Sequence, residues 1–387
     1  MQRFAHYLRT SIIFILVVFV VILANSTPVQ QVQAPSTKTA SSTLSVEPGF
    51  SLPSIPPSSL GPKIETPTTT PPKKVVSPPV KKPVPEPTPS PVSIPVIVPV
   101  PTPTPLPSSG GNAALDSSAT ALRVALVNIL CYAPAGGPIH SISGSGVFID
   151  SKGFILTNAH VAQYFLLADR SVSCTIRAGS PAADTYKASL VFISPAWIQA
   201  NADILTKTNP IGTGEHDFAF LAVTKSVTNA SLPAVFPFVG LAKAPPASGT
   251  PVVIASYGAQ FIASSQVQSG LFPTIVFGSV KDIFTFDTNT IDVLALGGSV
   301  AAQEGSSGGG VADARGMLIG TITTSTVTGS TDTRSLDAIT ASYIRSAYAS
   351  ETGQPLDLLL ERDPSTAATD FASQMPALEA IITASLP

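Results

Sequence analysis

The chain has 387 residues, a net charge of −2 and only 11% charged residues, so it carries no basic footprint for nucleic acid. No Gly-rich loop ending in Lys-Ser or Lys-Thr is present, and no close group of His, Cys and Asp has the spacing of a metal site. The sequence calls for no cofactor. It has four histidines, His6, His140, His160 and His216.

The first ten residues, "MQRFAHYLRT", carry Arg3 and Arg9 and no acid; then "SIIFILVVFVVILA" runs apolar from Ser11 to Ala24. Positive charge ahead of an apolar run keeps the N-terminus inside and sends the downstream chain outward. A run of 14 residues is short for a span of about 20, and "ANS" at Ala24–Ser26 offers a cleavage site. Residues 11–26 therefore read as a signal peptide or a transmembrane anchor. Residues 27–111 tip the balance to the anchor. Of the chain's 38 prolines, 23 lie between Pro28 and Pro107, in runs such as "PVPEPTPSP". Such a stretch cannot bury enough apolar surface to order itself and adopts extended polyproline II. The stiff part from Pro48 to Pro107 reaches roughly 190 Å at about 3.1 Å per residue. A spacer of that length is useful when one end is fixed. The expectation is a single-pass protein of the cell membrane, N-terminus inside, with the folded part extracytoplasmic; cleavage of the first segment would make it secreted.

A folded domain is expected over 112–350. "LRVALVNILCYA" reads as a strand entered from a short helix. "SGSGVFIDSKGFILTNAHV" reads as strand, turn, strand and then a histidine. "TPVVIASYGA", "PTIVFGSV" and "GMLIGTITTSTV" repeat the short-strand, Gly-punctuated rhythm. Many short strands with little long helix predict an all-β antiparallel domain, barrel or sandwich, long enough for two small barrels. In an exported chain the two cysteines, Cys131 and Cys174, favour a disulfide over two buried thiols. In the tail, 351–387, Phe371, Met375, Leu378 and Ile382 share a helical face, broken or restarted at Pro376, that is expected to pack on its own domain.

The chemistry is concentrated in "EGSSGGGV", Glu304 to Val311. A hydroxyl pair among glycines suits a loop whose backbone N–H groups face a reacting oxygen, though a surface turn has the same composition. A serine nucleophile needs a base, and the base needs a carboxylate. "GSSGG" fits the nucleophile elbow of the α/β-hydrolases, but that fold orders its triad serine, acid, histidine, and every histidine here precedes Gly305. The order histidine, acid, serine is filled by His160 in "ILTNAHV", Asp217 in "EHDFAFLAV" and a serine of "EGSSGGGV", with Asp217 57 residues after His160 and Ser307 another 90 on. His216, next to Asp217, should point to the opposite face, and His140 sits in a loop.

These pieces, in this order, resemble the trypsin-fold serine proteases, most closely the bacterial HtrA/Deg-type branch, over about Leu122 to Ile344. The resemblance implies two antiparallel six-stranded β-barrels and a serine endopeptidase acting on proteins or peptides. In it His160 is the general base, Asp217 orients it, Ser307 attacks, and Gly305 and Ser307 form the oxyanion hole. Ser306 cannot be the nucleophile in this pattern, because Glu304 would then take the oxyanion glycine's place. The position six before the nucleophile, Ala301, floors the specificity pocket, and Thr321 and Thr323 wall it. An uncharged pocket implies cleavage after small or medium apolar residues. Ser306 stands where pancreatic relatives have an Asp, so activation by a newly cut amine is not implied. Gly310 replaces a usual Pro. Only 37 residues follow Ser350, too few for the PDZ domain usual in the HtrA type. A silent copy of the fold acting as a binding module on a stalk, and an esterase using the same triad, are the alternatives.

Overall fold

The computed structural model describes residues 110–387 apart from 208–211, 288, 326–328, 332 and 387, and apart from the side chains of 324 and 325. The apolar run at 11–26 and the Pro-rich stretch lie outside the described residues. Among the described residues no helix is long and apolar enough to cross a membrane.

Helix α1 (Ala113–Ala125) opens the described chain, capped by Asn112, whose side chain accepts from the Leu115 N–H. It leads directly into β1 (Leu126–Tyr132), the strand entered from a helix that the sequence suggests. Strands β2 (Ile142–Phe148) and β3 (Phe154–Thr157) form the expected hairpin, with Val147 opposite Leu156. The short helix α2 (Ala159–Ala162) and a 3₁₀ segment, Gln163–Arg170, follow. Strands β4 (Ser173–Ala178) and β5 (Ala183–Ile193), helix α3 (Pro195–Ala200) and β6 (Ala219–Ser226) complete the first unit. The six strands close as an antiparallel barrel in the order β1-β2-β3-β6-β5-β4. Its strands are covered on both faces: Val127, Ile129, Phe220 and the consecutive Phe154, Ile155 and Leu156 are all fully buried.

The second sheet contains β7 (Pro251–Ser256), then, beyond the short helix α4 (Ser264–Ser269), β8 (Thr274–Ser279), β9 (Asp282–Phe284), β10 (Val293–Ala295), β11 (Gly310–Asp313), β12 (Leu318–Ser325) and β13 (Leu336–Thr340). It differs from the expected closed six-stranded barrel: seven strands run in the order β8-β7-β11-β12-β13-β10-β9, a half-barrel. The extra strand arises from a bend. β8 and β9 are separated only by Val280 and Lys281, and the chain changes partner there. Val280 exchanges backbone bonds with Gly249 and Thr250, whereas the Lys281 N–H donates to Ala295. β8 pairs β7 on one edge and β9 pairs β10 on the other.

Four helices end the chain: α5 (Ala341–Thr352), α6 (Leu356–Glu361), α7 (Pro364–Ala372) and α8 (Met375–Thr383). The boundary expected at 350 falls inside α5, and the tail holds more helix than the single short one expected. Helix α7 packs on β5 and β6, and α8 on α3 and the 3₁₀ segment. Phe371, Leu378 and Ile382 are buried in this contact, with Met375 packed at its margin. The stripe belongs to the domain's own core.

Cys131 and Cys174 face each other across β1 and β4 and are joined in a disulfide. It closes a loop over a sequence separation of 43 that contains β2, β3 and His160. Replacing both cysteines by serine should lower unfolding stability by about 3 to 4 kcal/mol. Denaturant titration of the two proteins measures it; equal midpoints would contradict a structural role for the crosslink.

Candidate active site

Asp217 is delivered by a tight turn. His216 takes a left-handed φ of 56°, unusual for a non-glycine residue; its N–H donates to the Tyr343 hydroxyl of α5 at 3.0 Å. The Asp217 N–H then returns to the Gly214 carbonyl, and the Phe218 N–H to that of His216. The carboxylate lies buried beneath α2. Its Oδ1 accepts the His160 backbone N–H at 2.9 Å, its Oδ2 meets His160 Nδ1 at 2.8 Å, and the Thr323 hydroxyl donates to the same Oδ2 at 2.7 Å. The Asn158 side chain donates to the Asp217 carbonyl at 2.8 Å, which fixes the chain at the mouth of β3.

The His160 ring is partly exposed, at 23% of its side-chain surface, over a carboxylate exposed by 7%. Burial works against the charged imidazole, but the Asp217 charge and its hydrogen bond outweigh burial, and the His160 pKa rises above 6.5. Burial likewise opposes the Asp217 carboxylate; the His160 charge and the bonds from His160 and Thr323 overcome it and hold its pKa below 3.8. His216 is half-buried, its Nδ1 2.9 Å from Glu351 of α5. His140 is exposed.

The two serines of the glycine loop differ sharply. Ser306 is 1% exposed, and its Oγ accepts a bond from the Ser256 hydroxyl at 3.1 Å. Ser307 is partly exposed, and among the described residues its hydroxyl has no hydrogen-bond partner, His160 included. The loop is locked around it. The Ser307 carbonyl accepts the Ser145 N–H at 2.7 Å, and the Gly308 N–H bonds Ile322. At Gly308 a Cβ would lie 2.0 Å from the Ser145 carbonyl oxygen, so the loop is pressed against β2 and against Thr157 of β3, three residues before His160. Gly305 has φ +90°, and a Cβ there would meet the Tyr257 carbonyl oxygen at 2.7 Å. The Glu304 carbonyl accepts the Ala259 N–H at 2.8 Å. In a trans peptide the next N–H points the opposite way, so that of Gly305 faces away from Ala259. Neither the Gly305 nor the Ser307 N–H has an acceptor among the described residues. Two open N–H groups beside a partly exposed hydroxyl can stabilise an oxygen that gains negative charge.

The expected pocket residues fare differently. Ala301 is fully buried, its N–H held by the Ser299 hydroxyl at 3.1 Å. Thr321 and Thr323 do not offer hydroxyls to a pocket wall: Thr321 donates to the Gly309 carbonyl at 3.1 Å and Thr323 to Asp217. They share one face of β12, and that face looks onto the serine loop and the acid. A charged side chain that the sequence reading did not single out bonds the residue next to Ala301. Buried Arg334 donates from Nη1 to the Ala302 carbonyl at 2.7 Å and to Gln260 at 2.6 Å, and from Nε to Gly329. Its guanidinium stands 5.5 Å over the Phe261 ring. Sequence reading missed it because its partners lie far away along the chain.

Residues 144–320 match the model of the trypsin-like peptidase domain. No curated protein matches the chain in sequence. Among solved structures it is similar to the Rv3671c protease from M. tuberculosis in its active form, with 21% identity over 69% of this chain and 95% of that one and a TM-score of 0.40. It is similar also to an inactive serine-to-alanine form of that protease from M. tuberculosis H37Rv, with 17% identity over 65% and 97% of the two chains and a TM-score of 0.39.

The matched range contains His160, Asp217, Gly305 and Ser307; Cys131, Arg334 and the four closing helices lie outside it. The raised His160 pKa sets a pH signature. Any reaction in which His160 accepts a proton should increase with pH to a midpoint above 6.5, because only the neutral ring accepts one. Stability follows the same pair. A raised histidine adds stability below 6.5 that is lost as pH rises through its folded value. A depressed aspartate adds stability above 3.8 that is lost as pH falls through its folded value. Asp217→Asn should therefore destabilise most between about 4 and 6.5, and less above. Denaturant titrations of the two proteins across pH measure it; a difference that grows above pH 8 would contradict the assignment.

Proposed function

We propose that the protein is a membrane-tethered, extracytoplasmic serine endopeptidase of the HtrA-like type, working through His160, Asp217 and Ser307. The observation that carries the reading is the buried Asp217–His160 pair, together with a Ser307 hydroxyl and Gly305 and Ser307 N–H groups that have no partner among the described residues. Neutral His160 takes the Ser307 proton as Oγ attacks the substrate carbonyl. The two N–H groups hold the oxyanion of the tetrahedral intermediate. His160 then gives its proton to the leaving amine, and an acyl-enzyme remains on Ser307. Water, deprotonated by the same ring, releases the acid. Asp217 keeps the Nδ1 proton in place and stabilises the imidazolium. The tether rests on the Arg-flanked apolar run at 11–26 and the Pro-rich stretch behind it.

For the residue before the scissile bond, the reading is a small or medium apolar side chain over the Ala301 methyl. The Nε and Nη1 of Arg334 donate to Gly329, Gln260 and Ala302, so these N–H groups are turned to the protein's own oxygens. Matching one methylene is worth only about 1 to 3 kcal/mol, so preference among apolar residues should be shallow. A peptide-library cleavage profile reads it. Dominant cutting after Lys or Arg would refute the apolar pocket, and dominant cutting after Asp or Glu would show that Arg334 serves the substrate.

The nucleophile is tested by a pair of variants. Ser307→Ala should lower kcat by on the order of 10⁴-fold or more, as for loss of a triad member. Ser306→Ala, which removes only the bond from Ser256, should keep most of the activity. Equal loss in both would overturn the choice of Ser307.

A further inference from the structure

Ser145 lies in β2, in the first barrel, fully buried, yet its polar atoms serve the loop of the second sheet. Its N–H donates to the Ser307 carbonyl at 2.7 Å. Its hydroxyl donates to the Gly305 carbonyl at 2.8 Å and accepts the Tyr257 N–H at 2.9 Å. Its own carbonyl accepts the Thr157 hydroxyl at 2.7 Å, on the strand that ends at His160. One residue thus bonds both ends of the segment 305–307 and the strand that carries the base. The N–H of Ser145 needs only a backbone; the hydroxyl is a choice of side chain.

We infer that the Ser145 hydroxyl is a positioning residue for the oxyanion-binding segment: by clamping the Gly305 carbonyl against Tyr257 it holds the Gly305–Ser307 stretch with its N–H groups turned to the reacting oxygen. The inference rests on the proposed protease reading and adds to it a residue with no contact to substrate. Three features carry it. The hydroxyl is donor and acceptor at once, so it fixes the loop relative to two other segments. Ser145 is fully buried, so removing its hydroxyl leaves the Gly305 carbonyl and the Tyr257 N–H without these partners. Gly305, with its φ of +90°, has no Cβ to restrict other backbone conformations, so an external bond has to select this one.

The test is Ser145→Ala in the full chain, compared with wild type and Ser307→Ala on a peptide substrate and on a peptide aldehyde that forms a tetrahedral adduct with the nucleophile. A loosened oxyanion site should lower kcat about tenfold or more while KM stays within about twofold, since the missing stabilisation belongs to the transition state. Aldehyde affinity should weaken by a similar factor at a temperature where Ser145→Ala remains folded. A merely structural role lowers the melting temperature and leaves kcat and aldehyde affinity unchanged; that result overturns the inference. If Ser145→Ala yields no folded protein, Ser145→Cys, with a weaker donor in nearly the same space, must show the same split between kcat and KM or the inference fails. A wild type with no Ser307-dependent hydrolysis would overturn the protease reading itself. Wild-type activity with an unaffected Ser145→Ala overturns the inference alone.

Discussion

A carboxylate taken out of water has to be satisfied on each oxygen, and Asp217 shows how much of a fold this demand recruits. Its two oxygens draw on the backbone and ring of His160 and on Thr323, and its carbonyl on Asn158. Those partners come from both sheets: His160 and Asn158 follow β3, whereas Thr323 belongs to β12. An unpaired charge in this place would cost several kcal/mol. The two sheets are thereby fixed in the one relation that also brings the serine loop against β2 and β3. The left-handed turn at His216 is held from a third direction by Tyr343 of α5.

The serine loop obeys the opposite logic. It has almost no side-chain bulk, and its conformation is set by bonds to its own backbone: the Ala259 N–H on Glu304, the Ser145 hydroxyl on Gly305, the Ser145 N–H on Ser307 and the Ile322 carbonyl on Gly308. Three of its glycines, Gly305, Gly308 and Gly309, could not be replaced without striking a carbonyl oxygen of a neighbouring segment. The loop is therefore rigid for reasons that lie outside it, and the two N–H groups left over stand beside the Ser307 hydroxyl. Preorganised donors of this kind need no rearrangement when charge develops, which is what makes them effective.

Much of this was legible in the sequence where chemistry and strand pattern coincide. The β2–β3 hairpin announces itself through "GVFIDSKGFILT", and His160 follows it at once. Asp217 stands at the head of the alternating "FAFLAV". Ser307 could be told from Ser306 by the position of Gly305, and the structure separates them physically, with Ser306 buried on Ser256. The features that stayed hidden depend on distant partners. Thr323 meets Asp217 over 106 residues, and which face of β12 turns inward depends on the bulge between Ile322 and Thr324. Arg334 joins residues 32 and 74 positions away. The bend that makes β8 and β9 two strands follows from hydrogen bonds to β7 and β10, which no local pattern encodes. The C-terminal helices were underestimated because Leu356–Glu361 and Pro364–Ala372 are short, and the second is held by packing on the distant β5 and β6.

The central claim is that one hydroxyl, Ser307, is activated by the His160–Asp217 pair. A fluorophosphonate probe measures it directly, because it forms a covalent bond only with a serine whose proton has a base to go to. On the folded wild-type protein, peptide mapping should find the phosphonyl group on Ser307, with labelling abolished in Ser307→Ala and strongly slowed in His160→Ala. Label on Ser306, or no label on folded wild type, would contradict the account.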